Sequence, residues 1–178
     1  MDLHQAAEYG DTKRVTELLD SGAHIGALDA SGMTALHRAA TAGHADVVAV
    51  LLARGADANA RTGIGLTPLH ASAMWSKVDA ARLLLAAGAD LHATIRRRPG
   101  RATVGSTQGW TPLHFAAEWR FEPFHDQEEM VKLLLNAGAD PNAKAKNGMT
   151  PLWMPREVGR TEIVQILEDH GAVEDWRV

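Results

Sequence analysis

With 178 residues, of which 46% are hydrophobic and 22% charged, the chain has the makeup of one ordinary globular domain. It contains no cysteine, which excludes disulfides, thiolate metal sites and cysteine nucleophiles together. A net charge of −4 gives no overall pull toward nucleic acid or anionic membrane. Residues 1–11 lack a basic segment followed by an apolar one, so no secretory signal is expected. The longest apolar runs, such as 47–53, are far too short to span a bilayer, and a cytoplasmic location is expected.

Taken in chain order, the segments repeat. Leu3-His4 and Ala6-Ala7 lie 33 residues before Leu36-His37 and Ala39-Ala40, so the first copy has its helices but lacks the entry turn. The string T-[PA]-L-[HW] begins at Thr34, Thr67, Thr111 and Thr150, and G-A-[DHV] begins at Gly22, Gly55, Gly88, Gly138 and Gly171. Gly22 to Gly55 and Gly55 to Gly88 are each 33 residues, and Thr34 to Gly55, Thr67 to Gly88 and Thr150 to Gly171 are each 21.

Local chemistry explains each copy. In the third, Thr67 can cap a helix by accepting from free backbone amides, and Pro68 suits the first helical position. Leu69, Ala71 and Ala73 give a short helix of small residues. A leucine-rich second helix follows over 79–87, and Gly88 supplies the left-handed conformation that ends it. Two such helices cannot bury an apolar face alone, but stacked neighbours can. The pattern resembles the ankyrin repeat family in its period of 33 and its T-P-L-H-x-A motif, over nearly the whole chain.

The resemblance implies an all-α ankyrin-repeat solenoid of about five helix-turn-helix repeats with short β-turn fingers. The expected repeats are 1–28, 29–61, 62–94, 95–144 and 145–178, the last as a C-terminal cap. It also implies that His4, His37, His70 and His114 hydrogen-bond within and between repeats, with His44 similar and His24 and His92 exposed. Asn59 and Asn142 stand in G-A-D-x-N-A, which resembles the site some ankyrin proteins offer to asparagine hydroxylases.

The fourth and fifth copies depart from the period. Eleven extra residues enter the finger of the fourth, within T-I-R-R-R-P-G-R-A-T-V-G-S-T-Q-G, adding Arg96, Arg97, Arg98 and Arg101 without an acid. This stretch reads either as a solvated loop or as a basic arm for an acidic partner surface. Six more residues fall between the two helices of the same copy, near Trp119, Phe121 and Phe124. Those aromatics either fold back over the groove edge or meet a partner. The fifth copy carries Trp153 in place of histidine and Pro155 inside its first helix, which should shorten or kink that helix.

Tyr9, Ala42, Trp75, Trp119 and Val158 share one repeat position, and Glu8, Thr41, Met74, Glu118 and Glu157 the one before it. In the family these positions face the concave groove. Met33, Leu66, Trp110 and Met149 are turn positions on the same side. The expected partner-binding set is therefore Tyr9, Met74, Trp75, Trp110, Glu118 and Trp119, with Phe121 and Phe124 as rim and the four arginines as a flanking clamp. Stacking of the tryptophans between repeats is the alternative. No H-E-x-x-H, phosphate loop or G-x-S-x-G appears, so no catalytic residue, metal or cofactor is expected. The reading is a non-enzymatic, monomeric module that binds a partner protein, as adaptor, inhibitor or immunity protein. The alternative is nucleic-acid or phosphate binding through the arginine finger and the tryptophans.

Overall fold

The computed structural model describes residues 1–96, 107–118 and 126–173, and all regular structure among them is helical. Ten helices form five pairs: α1 (Leu3–Glu8) with α2 (Thr12–Asp20), α3 (Ala35–Ala42) with α4 (Ala45–Ala53), α5 (Pro68–Met74) with α6 (Val78–Ala86), α7 (Pro112–Ala117) with α8 (Gln127–Asn136), and α9 (Trp153–Glu157) with α10 (Thr161–Asp169). The first helices stack in a row, α1 on α3 on α5 on α7, and the second helices in a parallel row from α2 to α10. None of the described helices is long and apolar enough to cross a membrane.

One core runs through all five pairs, because neighbouring pairs offer buried side chains to each other. Leu36, Leu51, Leu69, Leu84, Leu113, Met130, Leu134, Ile163 and Leu167 are fully enclosed. A side chain of that size contributes about 1.5–3 kcal/mol on burial. Alanines on the first helices let consecutive repeats approach closely: Ala39, Ala40, Ala73, Ala116 and Ala117 have almost no exposed surface.

The threonine–histidine pairs close the first helices at their N-terminal ends. In the third repeat the Thr67 amide and hydroxyl both donate to His70 Nδ1, at 3.2 and 2.8 Å, while the His70 amide donates to Thr67 Oγ1 at 3.4 Å. Since Nδ1 accepts, Nε2 carries the proton, and it donates 3.3 Å to the Trp110 carbonyl of the next repeat. His37 reaches the Leu66 carbonyl at 3.0 Å and His114 the Met149 carbonyl at 3.2 Å in the same way. His4 reaches Ala27 at 2.9 Å. His37, His70 and His114 are therefore rivets between repeats. His44 adds another, donating 3.0 Å to the Glu8 carbonyl, and His24 and His92 are exposed.

Asn59 and Asn142 stitch the far side of the stack. The Asn59 amide donates to the Gly88 carbonyl at 3.0 Å and its oxygen accepts from the Asp90 amide at 2.7 Å. Asn142 does the same with Gly171 and Val173, both at 2.8 Å. Both ends of each side-chain amide are thus engaged by the next repeat.

Two local features depart from the regular repeat. α9 spans five residues and starts at Trp153, whereas α5 and α7 begin at the proline of T-P-L-H. The late start puts Pro155 in the first turn, where its missing N–H leaves no helical bond unmade. Proline has set where the helix begins instead of kinking it. The second feature is Ser76, which holds a left-handed φ of 49° where the preceding repeat has Gly43 at 84°. Steric contact of Cβ in that region costs roughly 1–2 kcal/mol. Replacing Ser76 with glycine is expected to raise stability by about 1 kcal/mol, seen as a higher urea midpoint with an unchanged slope. A lower midpoint would show that the serine side chain contributes more than its backbone costs.

Candidate partner-binding groove

Stacking of the first helices aligns their C-terminal ends, and with them the side chains singled out by register. Tyr9, at the end of α1, is the most exposed large hydrophobic among the described residues, at 73%. Met74 and Trp75, at the end of α5, are half-buried, as are Thr41 and Ala42 after α3 and Glu118 after α7. Glu8, Glu157 and Val158 are exposed. These residues make a row with aromatic and thioether surface at the first and third levels and carboxylates at the first, fourth and fifth. Trp119, Phe121, Phe124, Arg97, Arg98 and Arg101 lie outside the described residues.

Trp110 does not join this row, and the expectation that it would is corrected. It is only 6% exposed. Its ring stacks on His114, with centroids 5.8 Å apart and an interplanar angle of 23°, and meets Phe115 edge-on at 5.1 Å. Phe115 also sits edge-on to His70 at 5.7 Å. The cause is the phenyl ring at position 115, where the second and third repeats have Arg38 and Ala71. It supplies a wall that an indole packs against at the usual aromatic separation. Trp110 instead stacks within its own repeat, and it is Phe115 that carries the ring contact across to the preceding one. The Trp110 Nε1 is buried with no hydrogen-bond partner among the described residues.

Charge at the N-terminal end of the row is internally compensated. The Arg38 guanidinium lies 2.6 Å from Asp29 and 3.9 Å from Glu8, and also donates 3.3 Å to the Ser31 hydroxyl. Partial burial opposes ionisation of Asp29. Hydrogen bonds from the Met33 amide, Arg38 and the Ser31 amide outweigh it and hold the carboxyl below the usual range.

The finger entering the fourth repeat is tied at its base. The Ile95 amide donates to the Trp110 carbonyl at 3.0 Å and the Gly109 amide to the Ile95 carbonyl at 2.8 Å. The same base is bonded to the fingers on either side, from the Arg96 amide to the Ile64 carbonyl at 2.7 Å and from the Lys146 amide to the Gln108 carbonyl at 2.9 Å. Gly109, at φ 86°, is required there, because a Cβ would lie 2.8 Å from the Lys146 nitrogen. Arg96 is exposed.

Sequence reading missed two surface features. Leu28 is 60% exposed at a finger position where the third and fifth repeats carry Arg61 and Lys144. Lys146 stands in register with Arg96, counted from Ala93 and Ala143. Aligning the fingers as well as the helices would have found both. No group of three or more metal-ligating side chains occurs among the described residues.

Comparison with known proteins gives one answer along the chain. The description "Ankyrin repeats (3 copies)" matches residues 3–95, "Ankyrin repeats (many copies)" matches 69–126 and "Ankyrin repeat" matches 108–146. Rabankyrin-5 of Mus musculus is 36% identical over 81 residues, which are 44% of this chain and 6% of that protein. The 2-5A-dependent ribonuclease of Homo sapiens is 40% identical over 55 residues, 31% of this chain and 7% of its own length. The ankyrin repeat protein YahD of Escherichia coli (strain K12) is 44% identical over 64 residues, 36% of this chain and 31% of that protein. The matched region is thus less than a third of each of these relatives. The helix pairs, the riveting histidines and matches from residue 3 to residue 146 agree: the chain belongs to the ankyrin repeat family.

Proposed function

We propose that the protein binds a partner protein through the row formed by Tyr9, Met74, Trp75 and Glu118, as a monomeric module in the cytoplasm. Ankyrin repeats are generally non-catalytic protein–protein interaction modules, and this chain has their architecture. The observation that carries the choice of surface is the outward placement of large side chains at one register. A tyrosine 73% exposed and a half-exposed Met74–Trp75 pair occupy equivalent helix ends two repeats apart. Tyrosine and tryptophan dominate binding hot spots because they bury much area with few rotatable bonds. The row is held by a riveted core, so little ordering entropy opposes binding. The roles open to such a module are adaptor, inhibitor of an enzyme, or immunity partner of a toxin.

The test is a quantitative pull-down from the native source with the wild type and with Tyr9→Ala plus Trp75→Ala. Truncating two hot-spot aromatics should weaken capture about thirtyfold or more. Circular dichroism should be unchanged, since neither ring is in the enclosed core. Equal recovery of the same partners by both proteins would remove the groove from consideration.

A further inference from the structure

Ser76, directly after Trp75, departs from its counterparts in a way that the free chain does not use. Gly10, Gly43 and Gly159 follow the first helices of the first, second and fifth repeats at φ of 75, 84 and 73°, and Ser76 makes the same left-handed turn in the third at 49°. A serine there carries a backbone cost that glycine avoids. Nothing offsets it within the chain: Ser76 is 5% exposed, and its hydroxyl makes no hydrogen bond among the described residues. Ser76 lines an open pocket of about 240 Å³ with Gly43, Lys77, Asp79, Asp126 and Glu129, where the second, third and fourth repeats meet. That is room for a side chain rather than for one water, whose share of liquid volume is about 30 Å³.

Two carboxylates of the pocket are left without partners. Asp126 is the N-cap of α8 but makes no side-chain cap bond, whereas Asp2 and Asp11 turn theirs inward to cap α1 and α2. The Asp79 side chain, in the first turn of α6, has no hydrogen bond or ion pair among the described residues. Glu129 is paired with Arg82 at 2.7 Å, and the two cancel. Lys77 lays its stem over Gly43, where a Cβ would lie 2.7 Å from the Lys77 Cδ, and its ammonium reaches no carboxylate among the described residues. Two unpaired carboxylates against one ammonium leave the pocket negative, with a free hydroxyl in its wall.

We infer that this pocket receives a basic side chain of the partner protein, whose N–H groups donate to the Ser76 hydroxyl and to the carboxylates of Asp79 and Asp126. The inference rests on the reading of this chain as a protein-binding module and names the group that the partner presents. An anionic group would meet two unpaired carboxylates, and an apolar one would cover a polar wall without bonding it. Met74 and Trp75 precede Ser76 directly, so the aliphatic stem of the incoming residue passes their apolar surface while its charged head enters the pocket. Hydrogen bonds from a cation to carboxylates are about twice as strong as neutral ones, which suits this pocket to anchor the partner beside the helix row.

The test follows backbone amide NMR shifts of the full chain during titration with N-acetyl-arginine amide, with N-acetyl-glutamine amide as the uncharged match. Shifts at residues 76–79 and 126–129 should saturate with the arginine probe and be absent with the glutamine probe. Ser76→Gly should weaken binding by about fivefold or more. Because that variant is expected to be the more stable one, unfolding does not account for the loss. Asp79→Asn plus Asp126→Asn should weaken binding by about tenfold or more. Glu17→Gln plus Glu162→Gln removes the same charge from the second helices at the two ends of the stack and should leave affinity within about twofold. The titration contains no partner protein, so the pocket can fail while the helix row still captures one, and the reverse. Shifts confined to other residues, equal shifts with both probes, equal loss in both carboxylate pairs, or undiminished binding by Ser76→Gly would overturn the inference.

Discussion

Acidification from pH 7 to pH 4 is expected to remove most of the stability of this protein. Burial is the largest influence on His70 and His114, and it lowers the pKa of each from 6.5 to about 4. Hydrogen bonds to the Trp110 and Met149 carbonyls and the nearby Asp90 and Asp140 only partly oppose that shift, and Arg61 reinforces it at His70. His37 is lowered for the same first reason, with Asp29 opposing and Arg38 assisting. The unfolded chain, with histidines near 6.5, binds protons that the folded chain refuses. Stability therefore rises with pH across the window. It is fully present above about pH 6.5 and is lost as pH falls through the folded values near 4. Each of the two rings accounts for about 3 kcal/mol over that range, against a total stability of about 5–15 kcal/mol for a domain.

Geometry gives the same answer as charge. A proton added to Nδ1 would face the threonine amide and hydroxyl that now donate to it, so each protonation also uncaps a first helix. Urea melts at intervals between pH 7 and pH 4 are the measurement. A midpoint that stays level to pH 5 and below would refute the account. Replacing His70 and His114 with glutamine should lower stability at pH 7 and flatten the profile beneath it.

Truncation of Leu69 to alanine is expected to destabilise the protein by about 3–4 kcal/mol, the usual cost of an enclosed leucine that leaves a cavity. Leu69 has no exposed surface and lies on the central helix α5, which packs on both α3 and α7. In a stack where each repeat touches only its neighbours, weakening the middle unit loosens two interfaces at once. The same change at Leu167, on α10, loosens the single described interface with α8. Leu69→Ala should therefore broaden or split the denaturant transition, with a lower apparent slope, whereas Leu167→Ala shifts it with less broadening. Equal, two-state shifts in both variants would show that the five pairs unfold as one block.

The helix pairs were legible because each recurring residue type had a single physical use. Threonine caps, proline opens, leucine is enclosed and glycine closes, and these recur at fixed intervals from Thr34 to Gly171. The helix row was legible for the same reason, since Tyr9, Met74 and Trp75 needed only register. Trp110 was not, because its fate depends on Phe115, and a pairing between two aromatics five positions apart does not show in a repeat pattern. The start of α9 was hidden too: the period places Pro155 in mid-helix, and only the backbone shows that the helix waits for it. The asparagines invited a reading about modification, while their work as stitches depends on Gly88 and Gly171, 29 residues away.

The bonded base of the fourth finger has a consequence for what the fold can carry. Ile95 and Gly109 are hydrogen-bonded to each other, and Arg96 and Gln108 beside them are latched to the fingers on either side, so the base of this finger is one fixed doorway. Closing a longer excursion through a doorway already held shut is cheap, about 0.6 kcal/mol for each doubling of length. Natural variation, or a designer, can exchange the cargo at this point while the stack beneath it stays in register.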